Sequence, residues 1–225
     1  VFPKQASAMC ELPVDDDCYD GGDIGMRSSE FVEQYNREQP FYLNVGFHGP
    51  HPPYWHPGEL KHDPEKMWPP IGAADTPHVR RLRAHFMDKC SFIDREVGKL
   101  MEALQQRDML DNTVVIFTSD HGDMLGDFGI VDKRVFYESS AKVPMILAGP
   151  GLPRGERDMT RRDSKALTSL MDLYPTMLEL AGVESKSHLK RWGRSLLPVV
   201  RNEPSAGHQQ IISELATSVM IRTAN

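Results

Sequence analysis

The sequence predicts an α/β domain in which a largely parallel sheet is flanked by helices. Two continuous apolar runs, residues 113–117 and residues 143–148, have the composition of strands that a parallel sheet buries on both faces. A long stretch with apolar residues at helical spacing precedes the first run, and a shorter helical stretch follows the second. Strands that alternate with helices are typical of this class, in which site residues collect at the carboxyl ends of strands.

The composition indicates a globular chain without a surface for nucleic acid. Of the 225 residues, 40% are hydrophobic, and the net charge is −6 with scattered Lys and Arg residues. A phosphate backbone needs a basic face, which this pattern does not provide. No apolar run approaches the roughly 18 residues of a membrane-spanning helix. We therefore expect neither nucleic acid nor a membrane segment, while localisation and oligomeric state stay open.

The first third of the chain is predicted to be mostly irregular, with one helix and one strand. Residues 1–27 are rich in Asp and Gly, which is typical of a connecting segment. Ser28 or Ser29 could then cap a short helix that ends before Pro40. Residues 41–47 are aromatic and β-branched, which predicts a buried strand. Residues 54–76 form a long irregular excursion that could shape a substrate pocket.

The clearest helix begins at Thr76-Pro77, a capping residue followed by proline, and continues to about Leu110. Its apolar residues recur every three or four positions, which places Cys90 in the packed stripe and Asp94 beside it. We interpret Asp94 as structural and bonded to a neighbouring loop, because that is the usual role of a polar residue near a core.

The carboxyl-terminal third is predicted to complete the core and to begin a small second part. A helix over residues 172–181 should end at Gly182, a residue that favours the left-handed conformation after a helix. Two short extended runs, residues 211–213 and residues 219–222, follow. We therefore assign residues 28–185 to the core and residues 186–225 to the start of a small α+β subdomain.

The residues with the strongest chemical signal lie directly after the predicted strand that ends at Phe117. Asp120 and His121 are adjacent there, and Gly122 would let the backbone turn so that both side chains point toward one locus. Two metal ligands could sit at that locus. For Ser-Asp-His-Gly in isolation, a capping Asp and a surface His are the commoner interpretation.

The residues around this motif make the metal-ligand interpretation the favoured one. They resemble the sulfatase family of the alkaline phosphatase superfamily, including its arylsulfatase-like and choline-sulfatase-like members. The matching blocks, in chain order, are residues 41–54, Ile93-Asp94, Val97-Gly98, residues 120–129, Lys133, Tyr137-Glu138, Val143-Pro144, residues 172–176 with Gly182, and residues 193–197. They cover nearly the whole chain from about residue 28. The resemblance implies an alkaline-phosphatase-like core and a hydrolase of sulfate esters that uses a divalent cation and a formylglycine.

The resemblance also implies a role for four residues. Asp120 and His121 match the family's metal-ligand pair, Lys133 matches the lysine that contacts the sulfate, and His51 matches the histidine near the leaving-group oxygen. Positive groups can stabilise the clustered negative oxygens of a sulfuryl group, and His51 could donate a proton to the departing alcohol. The cation is expected to be calcium, with manganese or zinc as alternatives because imidazole is the softer ligand.

The family's nucleophile motif, Cys or Ser followed by Pro or Ala at the third position and Arg at the fifth, does not occur in this sequence. We expect that motif, with its formylglycine and an upstream pair of metal aspartates, in a region ahead of Val1, and further sequence after Asn225. Calcium takes about six to eight oxygens, so two ligands fall short. These 225 residues alone should therefore lack sulfatase activity.

Two other functions stay open on the sequence. One is a phosphonate monoester or phosphodiester hydrolase of the same superfamily, and the other is a non-catalytic relative that binds sulfated glycans or an anion. The nature of the sulfate ester, whether a small molecule or a glycan, is also open. Cys10 and Cys18 could pair across a loop. Four further histidines show no regular ligand spacing and are unassigned: His48, His56, His62 and His78.

Overall fold

A computed structural model of the chain describes residues 21–54, 59–152, 163–184, 192–204 and 206–224. Cys10 and Cys18, with their possible pairing, and residues 55–58 of the predicted pocket excursion lie outside the described residues. The chain divides into two compact units, of which the first comprises Val1–Thr113 with Asp123–Asp132 and the second comprises Val114–Gly122 with Lys133–Asn225. The predicted division into residues 28–185 and 186–225 differs from this one and stays a prediction.

The first helix of the first unit, α1, spans Gly22–Gln34 and begins earlier than predicted. Residues 22–27, assigned from sequence to the irregular connection, are therefore helical. Ser28 and Ser29 do not cap the helix: their hydroxyls donate to the carbonyls of Ile24 and Gly25, four residues back, at 2.6 and 3.1 Å. A serine inside a helix commonly makes this bond, so the capping signal at these positions was misleading.

Helix α1 packs on the long helix α2, which spans Pro77–Gln106. At their contact, a Cβ on Gly25 would lie 2.5 Å from a carboxylate oxygen of Glu96, so only glycine allows this approach. Buried Val32 forms a core cluster with Ala103 and Leu104. The two helices thus provide the packed centre of the first unit.

Residues 41–47 form no strand among the described residues, so the predicted strand is wrong there. Their side chains alternate between half-buried and exposed, and Phe41 and Leu43 pack on the α1–α2 cluster. A strand requires a hydrogen-bonded neighbour. The aromatic composition predicted the burial of one face correctly, but it carries no information about a pairing partner.

Helix α2 begins as predicted: the hydroxyl of Thr76 accepts a hydrogen bond from the backbone N–H of Val79 at 3.3 Å, and proline follows the cap. Burial raises the pKa of the Cys90 thiol to about 11, in keeping with its predicted place in the packed stripe. Asp94 is exposed, which contradicts its interpretation as a structural residue. The buried carboxylates of this helix are instead Asp88 and Glu96.

Asp88 anchors the segment that precedes α2. Its carboxylate accepts hydrogen bonds from the backbone N–H groups of Lys61 and His62, both at 3.1 Å, and from the His62 ring at 2.6 Å. Burial alone would raise the pKa of Asp88, but these hydrogen bonds outweigh it and hold the pKa below its ordinary value. His62, unassigned from sequence, is thus a structural histidine.

We expect Asp88→Asn to lower the free energy of unfolding at pH 7 by about 1–3 kcal/mol, the effect of disturbing a buried hydrogen-bonded group. A depressed pKa contributes stability above the unfolded-state value, and that stability is lost as the pH falls through the folded-state value. The difference from the parent should therefore shrink below about pH 4. Urea unfolding at several pH values measures it, with exposed Asp94→Asn on the same helix as the control. A difference that is constant from pH 7 to pH 3 would contradict the assignment.

The second unit contains two strands that match the predicted runs, β1 (Val115–Thr118) and β2 (Met145–Ala148). They pair antiparallel, with Val115 opposite Ala148, so the predicted parallel sheet is not confirmed by the strands of the described residues. The paired residues Phe117 and Ile146 are 38% and 57% exposed, and burial on both faces is not observed here either. A β-branched run favours a strand, but the direction of its neighbour depends on the path of the chain.

Helices and a hairpin make up the rest of the second unit. The helices are α3 (Glu138–Ala141), α4 (Leu173–Leu180) and α5 (Leu197–Val200), and the hairpin strands are β3 (Gln210–Leu215) and β4 (Ser218–Thr223). Helix α4 ends as predicted, with Gly182 at φ +64°. The hairpin coincides with the two extended runs of the sequence. Among the described residues, no helix is long and apolar enough to cross a membrane.

Buried Asp172 connects three segments of the second unit. It accepts hydrogen bonds from the backbone N–H groups of Ser169 and Arg194, both at 2.8 Å, and from Nε2 of His208 at 2.8 Å. These bonds join the start of α4 to the segments that precede α5 and β3. Asp172, the first residue of the matching block 172–176, therefore has a structural role in holding these segments together.

Candidate functional site

The turn that carries Asp120 and His121 leaves the end of β1 and is fastened by two hydroxyl groups. The Thr118 hydroxyl donates to the carbonyl oxygen of Pro144 at 2.8 Å, which ties the turn to the residue before β2. The Ser119 hydroxyl donates to the carbonyl oxygen of His121 at 2.8 Å, across the turn. The Thr and Ser of the motif therefore shape the backbone, and the two residues after them are presented at the strand end.

The hydrogen bonds of His121 determine which ring nitrogen is available. Its Nδ1 lies 2.8 Å from the carbonyl oxygen of Gly122. A carbonyl can only accept, so Nδ1 carries the hydrogen and the neutral ring keeps its lone pair on Nε2. That Nε2 lies 3.6 Å from Oδ2 of Asp120, while Oδ1 of Asp120 accepts from the His121 backbone N–H at 2.9 Å. The free oxygen and the free nitrogen thus face the same locus.

This arrangement fits two ligands of one divalent cation. Atoms 3.6 Å apart can both lie about 2.0–2.5 Å from a shared ion, at an angle of roughly 90–130°. The side chains of Asp120 and His121 are 85% and 36% exposed, so an ion can reach them. In the described part of the chain no cluster of three or more His, Cys, Asp or Glu side chains could hold a metal. The pair by itself supplies two ligands, and its role as part of a metal site stays a prediction.

Gly122 is required because of a close backbone contact, whereas the sequence suggested that it was needed for a sharp turn of the backbone. A Cβ at this position would lie 2.1 Å from the carbonyl oxygen of Ser139. The Gly122 N–H also donates to the carbonyl oxygen of Ser140, at 2.8 Å. The turn is therefore seated on the carbonyl groups of α3, and Gly122 does not need the positive φ that several other glycines of the chain adopt.

We expect Gly122→Ala to destabilise the protein by about 1–3 kcal/mol, because the added methyl group must push Ser139 or the turn aside. It should also weaken the binding of a divalent cation, since Asp120 and His121 move with the turn. Urea unfolding and calorimetric titration with Ca²⁺ or Mn²⁺ measure the two effects. Gly98→Ala is the matched control, because a Cβ on this helical glycine would meet no atom within 4 Å. Equal behaviour of the two variants would refute the close-contact argument.

Lys133 belongs to the same unit as Asp120 and His121 and is half-buried. Its neighbours Asp132 and Arg134 have φ angles of +74° and +84°, in the left-handed region that residues other than glycine rarely adopt. Such backbone persists where the surrounding structure imposes it, and it is enriched at functional sites. The lysine that the sequence singles out is thus set in constrained backbone.

His51 lies in the first unit and has an exposed side chain. Its Nδ1 lies 2.8 Å from the carbonyl oxygen of Pro52, so this ring also carries a hydrogen on Nδ1 and leaves Nε2 for other contacts. The structure therefore brings Asp120 and His121 together, places Lys133 in their unit and places His51 in the other unit. The approach of His51 to the other three residues stays a prediction.

The second half of the motif, residues 123–129, supports the first unit structurally. Asp127 accepts hydrogen bonds from the Arg83 guanidinium at 2.7 Å and from the Ile71 N–H at 2.9 Å. The Arg83 side chain is fully buried, and sequence analysis did not identify it. A signal did exist, because Arg83 lies four residues after Val79 and three before Phe86, at the spacing of the buried face of α2.

Comparisons with known proteins show which family this chain resembles along most of its length. A family model described as Sulfatase matches residues 19–183 of this chain. The choline-sulfatase of Rhizobium meliloti strain 1021 is 32% identical in an alignment of 241 positions that covers 89% of this chain and 45% of that protein. The arylsulfatase K of Gallus gallus is 31% identical in an alignment of 205 positions that covers 75% of this chain and 37% of that protein. The chain thus spans less than half the length of these relatives.

The fold is also found among solved structures. The phosphonate monoester hydrolase of Silicibacter pomeroyi superposes with a TM-score of 0.72 and 24% identity, covering 87% of this chain and 45% of that one. At this identity the likeness concerns the fold alone, and it agrees with the predicted α/β class. Since the family model spans well over half of the chain and a named choline-sulfatase matches most of it, the chain belongs to the Sulfatase family.

Proposed function

We propose that the protein to which this chain belongs is a metal-dependent hydrolase of sulfuric esters, and that the chain contributes part of its active site. The observation that carries the proposal is the geometry of Asp120 and His121, whose free Oδ2 and Nε2 lie 3.6 Å apart at the end of β1. Family membership supports the choice of sulfate esters as substrates. Both a small-molecule sulfate and a sulfated glycan are compatible with the proposal.

In this proposal Asp120 and His121 hold one divalent cation. Calcium is the first candidate, and the imidazole ligand makes manganese or zinc alternatives. The bound cation would stabilise negative charge on the sulfuryl oxygens. The ammonium group of Lys133 would contact one of these oxygens as a further positive charge. The formylglycine stays a prediction that the coding sequence ahead of Val1 can test.

His51 is proposed to protonate the leaving group. Because its Nδ1 hydrogen is donated to the Pro52 carbonyl, the protonated ring can offer the hydrogen on Nε2 to the departing alcohol oxygen. After that transfer the ring is neutral and keeps the same bond to Pro52. Proton donation matters most for alkyl alcohols, which are poor leaving groups, and least for nitrophenols.

The proposal is tested with the purified full-length product of the gene, and with these 225 residues in parallel. An alkyl sulfate such as choline sulfate, 4-nitrophenyl sulfate, and a phenylphosphonate monoester are offered with and without EDTA. We expect turnover of a sulfate ester by the full-length protein that EDTA abolishes and a divalent cation restores. Faster turnover of the phosphonate ester would favour the other hydrolase class. Binding of sulfated glycans without turnover of any substrate would favour a non-catalytic relative.

A further inference from the structure

A buried lysine of α2 contacts the loop that carries His51. The ammonium group of Lys89 donates to the carbonyl oxygen of His51 at 2.9 Å and to that of Pro53 at 3.1 Å. Lys89 is only 2% exposed. A buried ammonium group is costly unless its hydrogens are donated, and the loop carbonyls accept two of the three. Lys89 and this loop therefore stabilise each other.

The carbonyl of Pro52, which lies between those of His51 and Pro53, accepts a hydrogen bond from the His51 ring. His51 donates from Nδ1 to the oxygen of Pro52, at 2.8 Å, so the three consecutive carbonyls of residues 51–53 are engaged by Lys89, by His51 and again by Lys89. The His51 side chain is exposed, so core packing does not hold its ring, although the ring contacts that of His48 at 4.9 Å between centroids. The ring direction therefore depends on where the Pro52 carbonyl points.

A second contact fixes the far end of the loop. The Tyr54 hydroxyl donates to Oδ2 of Asp123 at 2.6 Å. Burial, and next the hydrogen bond and charge of Asp123, raise the pKa of Tyr54 well above its ordinary value, so the phenol stays a donor. With Tyr54 held on one side, the bonds from Lys89 leave the backbone of residues 51–53 little freedom to rotate.

We propose that Lys89 is a positioning residue for His51. By holding the carbonyls on both sides of Pro52, it keeps the Pro52 oxygen under Nδ1 and so directs Nε2 outward, in the tautomer and orientation that proton donation requires. The first part of this inference concerns the loop alone. The consequence for catalysis rests on the proposed sulfatase function, so the test has one measurement for each.

The first measurement needs no substrate. Nitrogen NMR of the imidazole rings should show neutral His51 with its hydrogen on Nδ1, its signal being identified by loss in His51→Ala. In Lys89→Met, which keeps the stem and removes the donors, we expect the hydrogen to shift largely to Nε2. Lys66→Met is the control, since the Lys66 side chain is 81% exposed. An unchanged His51 tautomer in Lys89→Met would overturn the proposal. If Lys89→Met fails to fold, Lys89→Gln is used instead. Its shorter side chain keeps amide donors, so it should shift the hydrogen to Nε2 only in part, and no shift at all would count against the proposal.

The second measurement separates positioning from a general structural role. Lys89→Met should lower kcat for an alkyl sulfate by about 100-fold, the effect of a misplaced catalytic group, and change kcat for 4-nitrophenyl sulfate only slightly. The double variant with His51→Ala should be no worse than His51→Ala alone. Equal losses on both substrates, or additive losses, would overturn the proposal. If the parent protein cleaves no sulfate ester, the proposed function fails, and the tautomer measurement still decides the role of Lys89.

Discussion

The free energy of unfolding of the first unit should fall by about 3–5 kcal/mol in Asp127→Asn, because the substitution removes the carboxylate charge from a fully buried guanidinium. Arg83 also donates to the carbonyl oxygens of Leu125, Trp68 and Pro69, at 3.0–3.1 Å. Its guanidinium lies 4.8 Å from the centre of the Trp68 ring. The group cannot move to water without breaking these bonds, so the buried charge would stay where it is.

The loss in free energy of unfolding should depend on how deeply the ion pair is buried, and not on the mere presence of an ion pair. Arg80 near the start of α2 and Asp75 also form an ion pair, with two hydrogen bonds of 2.8 and 2.6 Å, but this pair is partly exposed. Asp75→Asn should therefore cost much less than Asp127→Asn. The double variant Arg83→Met/Asp127→Leu should be more stable than Asp127→Asn, since it leaves no unpaired charge.

Urea unfolding measures these free energies, and hydrogen exchange of residues 67–72 and 124–130 gives a local readout where a variant is too unstable for a full transition. Loss of protection should begin in these two segments, because both are bonded to Arg83 or Asp127. Similar free energies for Asp127→Asn and Asp75→Asn would contradict the assignment of Arg83 as the anchor of the first unit.

The largest effect on activity is expected at Asp120 and His121. In the full-length protein, Asp120→Ala or His121→Ala should lower kcat/KM for sulfate esters by about 100-fold or more, since under the proposed function each substitution removes a ligand of the cation that would stabilise the transition state. Metal content after dialysis should fall in parallel. The free energy of unfolding without metal should change little, because the side chains of Asp120 and His121 are 85% and 36% exposed and neither belongs to the core.

His78→Ala is the matched control for these variants, since His78 is exposed near the start of α2 and has no part in the proposed site. Treatment with EDTA should reduce the parent protein to the activity of the His121→Ala variant, and added cation should restore only the parent. An active His121→Ala variant with normal metal content would show that the cation is held elsewhere.

The candidate pair was singled out from sequence by two signals together. Asp120 and His121 follow a β-branched run at a turn, and the ordered blocks around them along the chain resemble one family. The structural role of Arg83 was not identified, because a charged residue at a core spacing is read as an exposed one unless its partner is known. That partner, Asp127, lies 44 residues away along the chain.

Several misleading predictions have a common cause. The early start of α1 at Gly22, the unpaired backbone of residues 41–47 and the antiparallel pairing of β1 with β2 all depend on which segment lies beside which. The composition of a short segment indicates how strongly its residues prefer to be buried or extended. It does not report the identity or direction of the neighbour.

The amino-acid order alone was sufficient to predict the family and the α/β class, because ordered motifs and periodic apolar residues are properties of neighbouring positions. It also singled out four candidate site residues, whose roles stay predictions. Contacts between distant positions appeared only in the folded chain. The carbonyls of α3 that require Gly122, the Arg83–Asp127 pair and the hold of Lys89 on the His51 loop are such contacts. Each of these contacts joins residues that are far apart in sequence. The orientation of a side chain depends on the partner that it contacts in the folded chain, and local sequence does not identify that partner.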